Sequence, residues 1–357
     1  MKVLFLTPYP PGQAASQRFR FEQYFGYLTD RGIEYDVSSF LDMSTWGLIY
    51  KRGFLIIKIW GMIKGFGKRF INLLSLSKYD IVFVHREATP IGPPFVEWMV
   101  AKVFRKKLIF DFDDAIWVPN YSESNKFFSF LKRYSDVSRV CKWSYKVSCG
   151  NHYLCNYAKQ YNANVVYNPT TIDTAGYHDR KKDYSNITEK KFVIGWTGSH
   201  STIRYLFEIV PVIEELEKTH DFEFHVISDH DPKLNLNSFK FIKWNRETEI
   251  DDLFQFDIGL MPLTNDTWAN GKCGFKALQY MALGIPAVVS PMAENSQMVD
   301  DKIDGLICNT LTDWKENLEL ILDDKLILQK LSLHTRSKIV KDYSVNSNKD
   351  NFLSLFE

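Results

Sequence analysis

A glycine-rich segment with two lysines lies in the second half of the chain. Residues 271–276 read GKCGFK, and a helical pattern follows them as far as Gly284-Ile285-Pro286. Backbone N–H groups at a helix N-terminus form an anion site, glycines leave them uncovered, and Lys272 and Lys276 add positive charge. The segment therefore predicts a site for a diphosphate.

A second polar loop, residues 8–20, follows the first predicted strand and contains Gly12 and Arg18. It lacks the G-x-G-x-x-G pattern, which disfavours a nicotinamide-binding fold. Its local pattern is that of a Pro-Gly turn followed by Ser16 as a helix N-cap.

A third polar loop, residues 198–204, begins with Gly198 and Ser199 and ends in the cation Arg204. It follows the first strand of the second half of the chain, so it lies where ligands of such sheets bind. The alternative is a simple turn at Gly198 with Arg204 solvated in the first turn of a helix.

Three carboxylates follow a buried strand in the first half. Asp111 and Asp113 share one face by strand alternation, and such a pair is a candidate for Mg²⁺ or Mn²⁺. Asp114 is a candidate helix cap, or a general base that orients an acceptor hydroxyl. His85 ends the preceding strand, where it contacts a donor sugar or phosphate or is a satisfied strand-end histidine.

Residues 51–78 combine apolar and basic side chains and contain no Asp or Glu. At 100° per residue the apolar side chains share one arc, and most of the cations lie on the other. This pattern is typical of helices that bind anionic bilayers, and a core helix with its lysines outside is the alternative. The apolar arc is Leu55, Ile59, Ile63, Phe66, Phe70 and Leu73, and the basic residues are Lys51, Arg52, Lys58, Lys64, Lys68, Arg69 and Lys78.

Short β-type runs alternate with helical patterns along the whole chain, which predicts parallel sheets in two similar α/β halves. We expect an N-terminal Rossmann-like domain at 1–168, a polar linker at 169–190, a C-terminal Rossmann-like domain at 191–335, and a helix at 336–357 that packs back on the first domain. The predicted strands are 2–7, 33–38, 80–85, 107–111, 146–148, 164–167, 192–196, 222–227, 239–244, 257–261, 287–290 and 305–308.

The overall composition excludes several classes of protein. The net charge of +1 gives no field that would recruit nucleic acid, and 45% hydrophobic residues with 24% charged are ordinary for a globular chain. The five cysteines are odd in number and contain no C-x-x-C, which fits a reduced compartment better than a disulfide framework. No window has the roughly 18 consecutive apolar residues of a spanning helix. We expect a cytoplasmic protein, with any membrane contact peripheral and on the inner face of the plasma membrane.

The chain resembles the retaining GT-B-fold glycosyltransferases of the group 1 type, glycosyltransferase family 4. The resemblance rests on the order of motifs along most of the chain: the Gly12 loop, VYNP at 166–169 with Asp173, IGWTGS at 194–199, DIGLMP at 257–262 and QYMALGIP at 279–286. It implies two Rossmann-like, doubly wound parallel-sheet domains that face each other across a cleft. It also implies metal independence, which favours the acceptor role of the 111–114 carboxylates over a metal site.

The family's Glu-x7-Glu element falls on Gly271 and Gln279, so both carboxylates are absent. By resemblance, Gln279 holds the ribose of the nucleotide, and Lys272 or Lys276 substitutes for the first Glu. Arg204 matches the family's phosphate-binding cations. The Gly12 loop matches the loop that in the family lies under the donor diphosphate and beside the acceptor, so the resemblance makes Gly12 and Arg18 candidates for phosphate contacts, with the turn and N-cap as the alternative.

The resemblance implies a glycosyltransferase that moves a sugar from a nucleotide-sugar donor to a polysaccharide-precursor or lipid-linked acceptor with retention of configuration, without a cofactor. Charge on the departing diphosphate would be stabilised by Arg204, Lys272, Lys276 and the Gly274–Phe275 backbone amides. Two alternatives remain open: a nucleotide-sugar epimerase or hydrolase of the same fold, and a non-catalytic relative that binds a nucleotide. Among partners we expect no nucleic acid.

Overall fold

The computed structural model describes residues 1–49, 51, 53–119, 133–185, 190–292 and 294–357. The chain divides into two compact units. Unit 1 comprises Met1–Thr170 with Asn348–Glu357, and unit 2 comprises Thr171–Ser347. Each unit is built on its own parallel sheet.

Unit 1 contains a six-stranded parallel sheet in the order β2-β1-β3-β4-β5-β6. Its central strands are almost continuous runs of buried apolar residues, as expected for a sheet covered on both faces. The strands are β1 (Lys2–Thr7), β2 (Glu34–Ser39), β3 (Ile81–His85), β4 (Lys107–Phe112), β5 (Lys146–Cys149) and β6 (Val165–Tyr167).

Helices connect these strands in the described part of unit 1. The α-helices are α1 (Ala15–Arg18), α2 (Phe25–Asp30), α3 (Met43–Ile49), α4 (Leu55–Leu74), α5 (Phe95–Trp98), α6 (Val137–Trp143) and α7 (His152–Lys159). A π-helical turn, Met99–Val103, continues α5, and short 3₁₀ turns lie at Glu22–Tyr24, Leu76–Lys78 and Tyr134–Asp136.

Unit 2 contains a second six-stranded parallel sheet, in the order β12-β11-β10-β7-β8-β9. Its core includes the large, fully buried Trp196 at the centre of the sheet and Trp314 on a covering helix. The strands are β7 (Phe192–Gly198), β8 (Phe222–Ser228), β9 (Phe239–Lys243), β10 (Ile258–Met261), β11 (Ala287–Val289) and β12 (Gly305–Ile307).

The α-helices that follow are α8 (Ile203–Leu206), α9 (Val210–Leu216), α10 (Glu249–Leu253), α11 (Thr267–Asn270), α12 (Phe275–Ala282), α13 (Asn295–Met298), α14 (Leu311–Asp323), α15 (Leu326–Lys338) and α16 (Val345–Leu353). A π-helical turn, Ile339–Tyr343, joins α15 to α16, and a 3₁₀ turn, Ser354–Phe356, follows α16.

The predicted strands agree closely with those of the structure. Each of the twelve predicted strands is present in the described residues, and its ends differ from the prediction by two residues at most. The strands could be predicted because parallel strands that are buried on both faces require short apolar runs. In this sequence polar, glycine or proline residues mark the ends of those runs.

The polar stretch 169–190 is not a free linker, contrary to the sequence expectation. Its residues from Thr171 onward belong to unit 2. Tyr184 is buried, and its hydroxyl donates to the Asp257 carbonyl at 2.8 Å. Arg336 donates to the carbonyls of Thr174 and His178 at 2.9 Å. Hydrogen bonds to backbone carbonyls attach this segment to the rest of unit 2. Such contacts need no apolar periodicity, so the sequence pattern did not reveal the attachment.

The C-terminal residues divide between the units. Residues 336–347 belong to unit 2, and Asn348–Glu357 belongs to unit 1. Phe352 stacks on Tyr24 with ring centroids 4.3 Å apart, and Phe356 lies 6.1 Å from Phe5. Aromatic packing therefore attaches the end of the chain to the core of unit 1.

Candidate functional site

The carboxyl ends of three neighbouring strands form the predicted binding edge of unit 2. Gly198 ends β7, Met261 ends β10 and Val289 ends β11, and the sheet order places these strands side by side. Ligands of doubly wound sheets bind at such edges. The segments that follow these strands are therefore the candidate nucleotide site.

Gly274 is the N-cap of α12, and only glycine suits it. Its φ of 69° lies in the left-handed region. A Cβ there would lie 2.7 Å from Met298 Cε. The helix that starts at Phe275 therefore has an N-terminus, with its positive partial charge, that no N-cap side chain covers.

The two lysines predicted to bind the diphosphate lie over aromatic rings. Lys276 Nζ is 5.3 Å from the ring centroid of Trp196, and Lys272 Nζ is 4.8 Å from that of Trp268. Cation–π contacts of this kind hold a charge in place without neutralising it. Both lysines thus belong to the segment that leads into the first turn of α12.

Several buried polar atoms at this edge lack a partner. Within the described residues, Gln279 Nε2, Asn295 Oδ1 and Trp196 Nε1 make no hydrogen bond. Gln279 is only 2% exposed. The Asn295 amide nitrogen donates to the Ser290 carbonyl at 3.0 Å, whereas Asn295 Oδ1 has no partner among the described residues. Further atoms of this kind occur elsewhere in the described residues, and a bound polar ligand is one of the explanations for them.

Gln279 was predicted from the sequence, but Asn295 and Trp196 were not. Trp196 lies within β7 and Asn295 begins α13, so they are far apart in the sequence and only the fold relates them to this segment. The structure brings Asn295 to the N-cap of α12: its Oδ1 lies 3.6 Å from the position of a Cβ on Gly274.

The loop after β7 is folded tightly on itself. A Cβ on Gly198 would lie 2.3 Å from Trp196 Cη2, so this position requires glycine. The Ser199 N–H donates to Thr202 Oγ1 at 3.1 Å, and the hydroxyls of Ser199 and Ser201 are 2.8 Å apart. The loop therefore has a defined shape close to the lysine over Trp196.

Arg204 belongs to α8, directly after this loop. Its Nη2 donates to the Tyr205 hydroxyl at 2.8 Å, and its guanidinium lies 4.8 Å from the Tyr205 ring centroid. Although burial opposes the effect, hydrogen bonds from Thr264 and Ala269 and the charge of Arg204 lower the pKa of Asp266. Arg204 is thus near the loop that leads from β10 to α11.

In unit 1, the loop after β1 is closed by a glutamate. The Gly12 N–H, at φ 75°, donates to Glu22 Oε2 at 2.8 Å, and Gln17 Nε2 donates to Glu22 Oε1 at 3.0 Å. Burial raises the pKa of Glu22. A phosphate contact from the Gly12 amide therefore requires Glu22 to move, which the sequence did not indicate. Arg18 is buried, with its guanidinium 4.8 Å from the Phe19 ring centroid.

His85 belongs to a buried ionic network at the ends of β3 and β4. Its Nδ1 lies 2.7 Å from Asp111 Oδ2, and Asp111 also pairs with Arg20 and accepts from the Ser148 hydroxyl at 2.6 Å. Burial alone would raise the pKa of Asp111, but the charge of Arg20 and the hydrogen bond from His85 hold it below its usual range.

The network determines the chemistry of the imidazole. In the neutral tautomer that donates its Nδ1–H to the Asp111 carboxylate, the lone pair is on Nε2. His85 is fully buried, and Nε2 has no hydrogen-bond partner among the described residues. This atom can accept a hydroxyl proton from a ligand. Arg20 was not predicted as a site residue, because nothing in the sequence distinguishes it except its place at the end of the polar loop 8–20.

Asp113 and Asp114 are both paired with Arg86. Arg86 Nε donates to Asp113 Oδ1 at 2.7 Å and Nη2 to Asp114 Oδ2 at 2.5 Å, and Arg86 has a left-handed φ of 59°. Asp111 and Asp113 therefore have different ion-pair partners, Arg20 and Arg86. Among the described residues, a group with spacing suitable for a metal ion is the exposed His200, Asp229 and His230.

The predicted site residues thus form two sets, one in each unit. Unit 2 contains the loop at Gly198 and Ser199, Arg204, and the segment with Lys272, Gly274, Phe275, Lys276 and Gln279. Unit 1 contains Gly12, Arg18, His85 and Asp114.

A known sequence family matches part of unit 2. Residues 191–324 match the family described as "Glycosyl transferases group 1", and this segment lies within unit 2. No curated protein sequence matches the chain.

Solved structures of similar fold cover nearly the whole chain. Sucrose-phosphate synthase from Thermosynechococcus elongatus has a TM-score of 0.74 at 11% identity, over 99% of this chain and 98% of that one. Anabaena HepE in complex with UDP and glucose has a TM-score of 0.66 at 11% identity, over 99% and 98%. The lipopolysaccharide outer core galactosyltransferase WaaB has 0.63 at 14% identity, over 100% and 99%.

Each unit has a parallel sheet covered by helices, and a glycine-capped helix begins at the carboxyl end of the second sheet. The family match and the similar solved structures are consistent with this architecture. The chain has the two-domain α/β fold of these solved structures, and its residues 191–324 match the family of group 1 glycosyl transferases.

Proposed function

We propose that the protein transfers a sugar from a nucleotide-sugar donor to a polysaccharide-precursor or lipid-linked acceptor, with retention of configuration. The observation that carries the proposal is the buried Nε2 of Gln279, which has no hydrogen-bond partner among the described residues and lies on the helix that begins between two lysines. HepE in its UDP-glucose complex and the outer core galactosyltransferase WaaB, which have the same fold, support a nucleotide-sugar donor and a glycan acceptor.

Unit 2 would hold the donor. The Gln279 amide donates to a ribose hydroxyl, and the start of α12 faces the diphosphate. Lys272, Lys276 and Arg204 supply positive charge, which matters most as the sugar–phosphate bond breaks and charge accumulates on the departing diphosphate. These cations lower the barrier because they stabilise that charge more strongly than the intact donor.

Retention follows if the acceptor hydroxyl attacks from the side of the leaving phosphate. The phosphate oxygen then takes the acceptor proton, and no side-chain base is required. Asp114, the candidate base of the sequence analysis, is paired with Arg86, and this mechanism does not require it to take a proton. NMR of the product's anomeric proton tests this step, and an inverted product would contradict it.

Calorimetric titration with nucleoside diphosphates tests the donor site. Lys276→Ala and Arg204→Ala should each weaken binding by about 1.5–3 kcal/mol, because each removes a charge-assisted phosphate contact. Lys330→Ala is the matched control, an exposed lysine on α15. Unchanged affinity in both site variants would refute the assignment of the phosphate-binding cations.

A further inference from the structure

Helix α4 packs on unit 1 through an unusual stripe of residues. Its buried positions are Gly61, Gly65, Arg69 and Leu73, spaced four residues apart along one side of the helix. A core helix normally buries its large apolar side chains. Here the buried side consists of two glycines, one arginine and one leucine.

The glycines allow the helix backbone to approach its neighbours closely. A Cβ on Gly61 would lie 2.2 Å from Thr45 Oγ1, and one on Gly65 would lie 2.6 Å from Phe40 Cε1. No larger residue fits at either position without displacing the neighbour. The rotation of α4 about its axis is therefore fixed by the protein.

Arg69 fixes the same orientation by hydrogen bonding. Its guanidinium donates to the carbonyls of Ala88 at 2.6 Å, Ser38 at 3.0 Å and Thr7 at 2.8 Å. Burial lowers the pKa of Arg69 to about 10, so it remains protonated at neutral pH. Arg69 was counted with the outward cations and Leu73 with one apolar arc, and the structure corrects both because these side chains point inward.

The consequence is that the apolar side chains of α4 point away from unit 1. Ile56 is 83% exposed, Leu74 69% and Phe70 63%. This contradicts the core-helix alternative, in which these side chains would be covered. The further exposed apolar side chains on α4 are Leu55, Ile57, Ile59, Trp60, Ile63, Phe66 and Ile71.

A second apolar patch lies on the segment α5 and its π-helical continuation. The crossings β2 to β3 and β3 to β4 run in the same direction along the sheet, so right-handed connections place α4 and α5 on the same face. The two segments meet at Ala88, whose carbonyl accepts from Arg69 and whose N–H donates to Glu97 at 2.8 Å. Exposed on this segment are Phe95, Trp98, Val103 and Phe104.

The exposed charges along α4 and after α5 are mostly positive, with Lys64 3.5 Å from the carboxylate of Asp42. Residues 51–78 contain no acid, and exposed cations accompany the apolar side chains, among them Lys51 and Lys64 on α4's segment and Lys102 and Arg105 after α5. Arg52 lies outside the described residues. Glu97 is buried, so it contributes no exposed negative charge.

From these observations we infer that the exposed residues of α4 and α5, the α4–α5 surface, insert into an anionic lipid bilayer. The 20 residues of α4 present apolar side chains over about 30 Å. A helix that lies in the interface with its lysines at headgroup level buries such side chains. A second copy of this chain is a poorer occupant, because a two-fold interface would bring like charges together. The inference goes beyond the transfer reaction and does not depend on it.

Vesicle co-sedimentation tests the inference with the full-length protein. The wild type should sediment with vesicles of phosphatidylcholine and phosphatidylglycerol and much less with phosphatidylcholine alone. Ile56→Gln/Trp60→Gln/Ile63→Gln should lower the partition coefficient at least about 100-fold, because three apolar side chains no longer insert. Leu320→Gln/Leu326→Gln/Leu333→Gln is the matched control, with three exposed leucines of unit 2, and should bind as the wild type does.

A charge variant and a depth probe separate insertion from simple attraction. Lys51→Gln/Lys58→Gln/Lys64→Gln should weaken binding roughly fivefold for each lysine, and added salt should mimic this loss. Brominated lipid should quench the wild type more than Trp60→Phe, and circular dichroism of each variant should equal that of the wild type.

Two outcomes would overturn the inference. The first is a wild type that stays in the supernatant with anionic vesicles at low salt. The second is a concentration-dependent dimer that the triple-Gln variant abolishes while vesicle binding is absent, which would assign the surface to a second copy.

Discussion

Replacing Gln279 by methionine should make the protein more stable and a weaker nucleotide binder. Gln279 is 2% exposed, and its Nε2 has no partner among the described residues. A buried donor without an acceptor costs about 1–3 kcal/mol, and methionine has a similar volume without that donor. Gln279→Met should therefore raise the free energy of unfolding of unit 2 by about 1–3 kcal/mol.

The affinity for a nucleoside diphosphate should change in the opposite direction. If Gln279 donates to a ribose hydroxyl, its loss removes a neutral hydrogen bond worth about 0.5–1.5 kcal/mol. The expected result is a two- to tenfold weaker binding constant, with the cations of the diphosphate site unchanged.

Gln17 provides a matched control with the same residue type and burial. It is 0% exposed, accepts from the Tyr9 N–H, and donates to the Tyr9 carbonyl and to Glu22, each at 3.0 Å. Gln17→Met leaves these partners unsatisfied, so it should destabilise unit 1 by about 2 kcal/mol or more. The two substitutions are chemically identical and should differ in sign.

Scanning calorimetry measures both stabilities, and isothermal titration measures the affinity. A Gln279→Met protein with unaltered nucleotide affinity would refute the ribose assignment. A loss of stability in the same variant would show that the amide is paired within the folded protein, and the argument from its missing partner would fail.

Three further predictions follow from other parts of the molecule. Transfer should survive chelation, because cations of the chain neutralise the leaving group; loss of activity that Mn²⁺ restores would point to Asp111 and Asp113 or to the His200 group instead. Asp111→Asn should destabilise unit 1 by about 3–5 kcal/mol in urea unfolding, because Arg20 stays buried without its counter-ion, and a change below 1 kcal/mol would contradict this role. Burial raises the pKa of Asp304 to about 6, so the folded state binds this proton more tightly than the unfolded state. Stability should fall as the pH rises from about 4 to above 6, and Asp304→Asn should gain about 1–2 kcal/mol over the wild type at pH 8 but not at pH 4.

The candidate site was only partly readable from sequence. The glycines, lysines and glutamine of the segment 271–279 lie close together along the chain, so the sequence alone shows their spacing. The partners that define their chemistry are distant: Trp196 under Lys276, and Asn295 beside Gly274. In the same way, the network of Arg20, His85 and Asp111 joins three loops and strands that only the sheet order brings together.

By itself, the sequence determined the alternation of strands and helices, because parallel strands buried on both faces must be short apolar runs and the residues between them must turn. It also determined that the segment of α4 combines apolar and basic residues and contains no acid. Only the tertiary structure decided which side of α4 is buried, because a helical wheel contains no information about the neighbours. Thr45 and Phe40 lie so close to the helix that no residue larger than glycine fits at positions 61 and 65 without displacing them. Three backbone carbonyls accept hydrogen bonds from Arg69 on the same side. The packing therefore left the apolar side exposed.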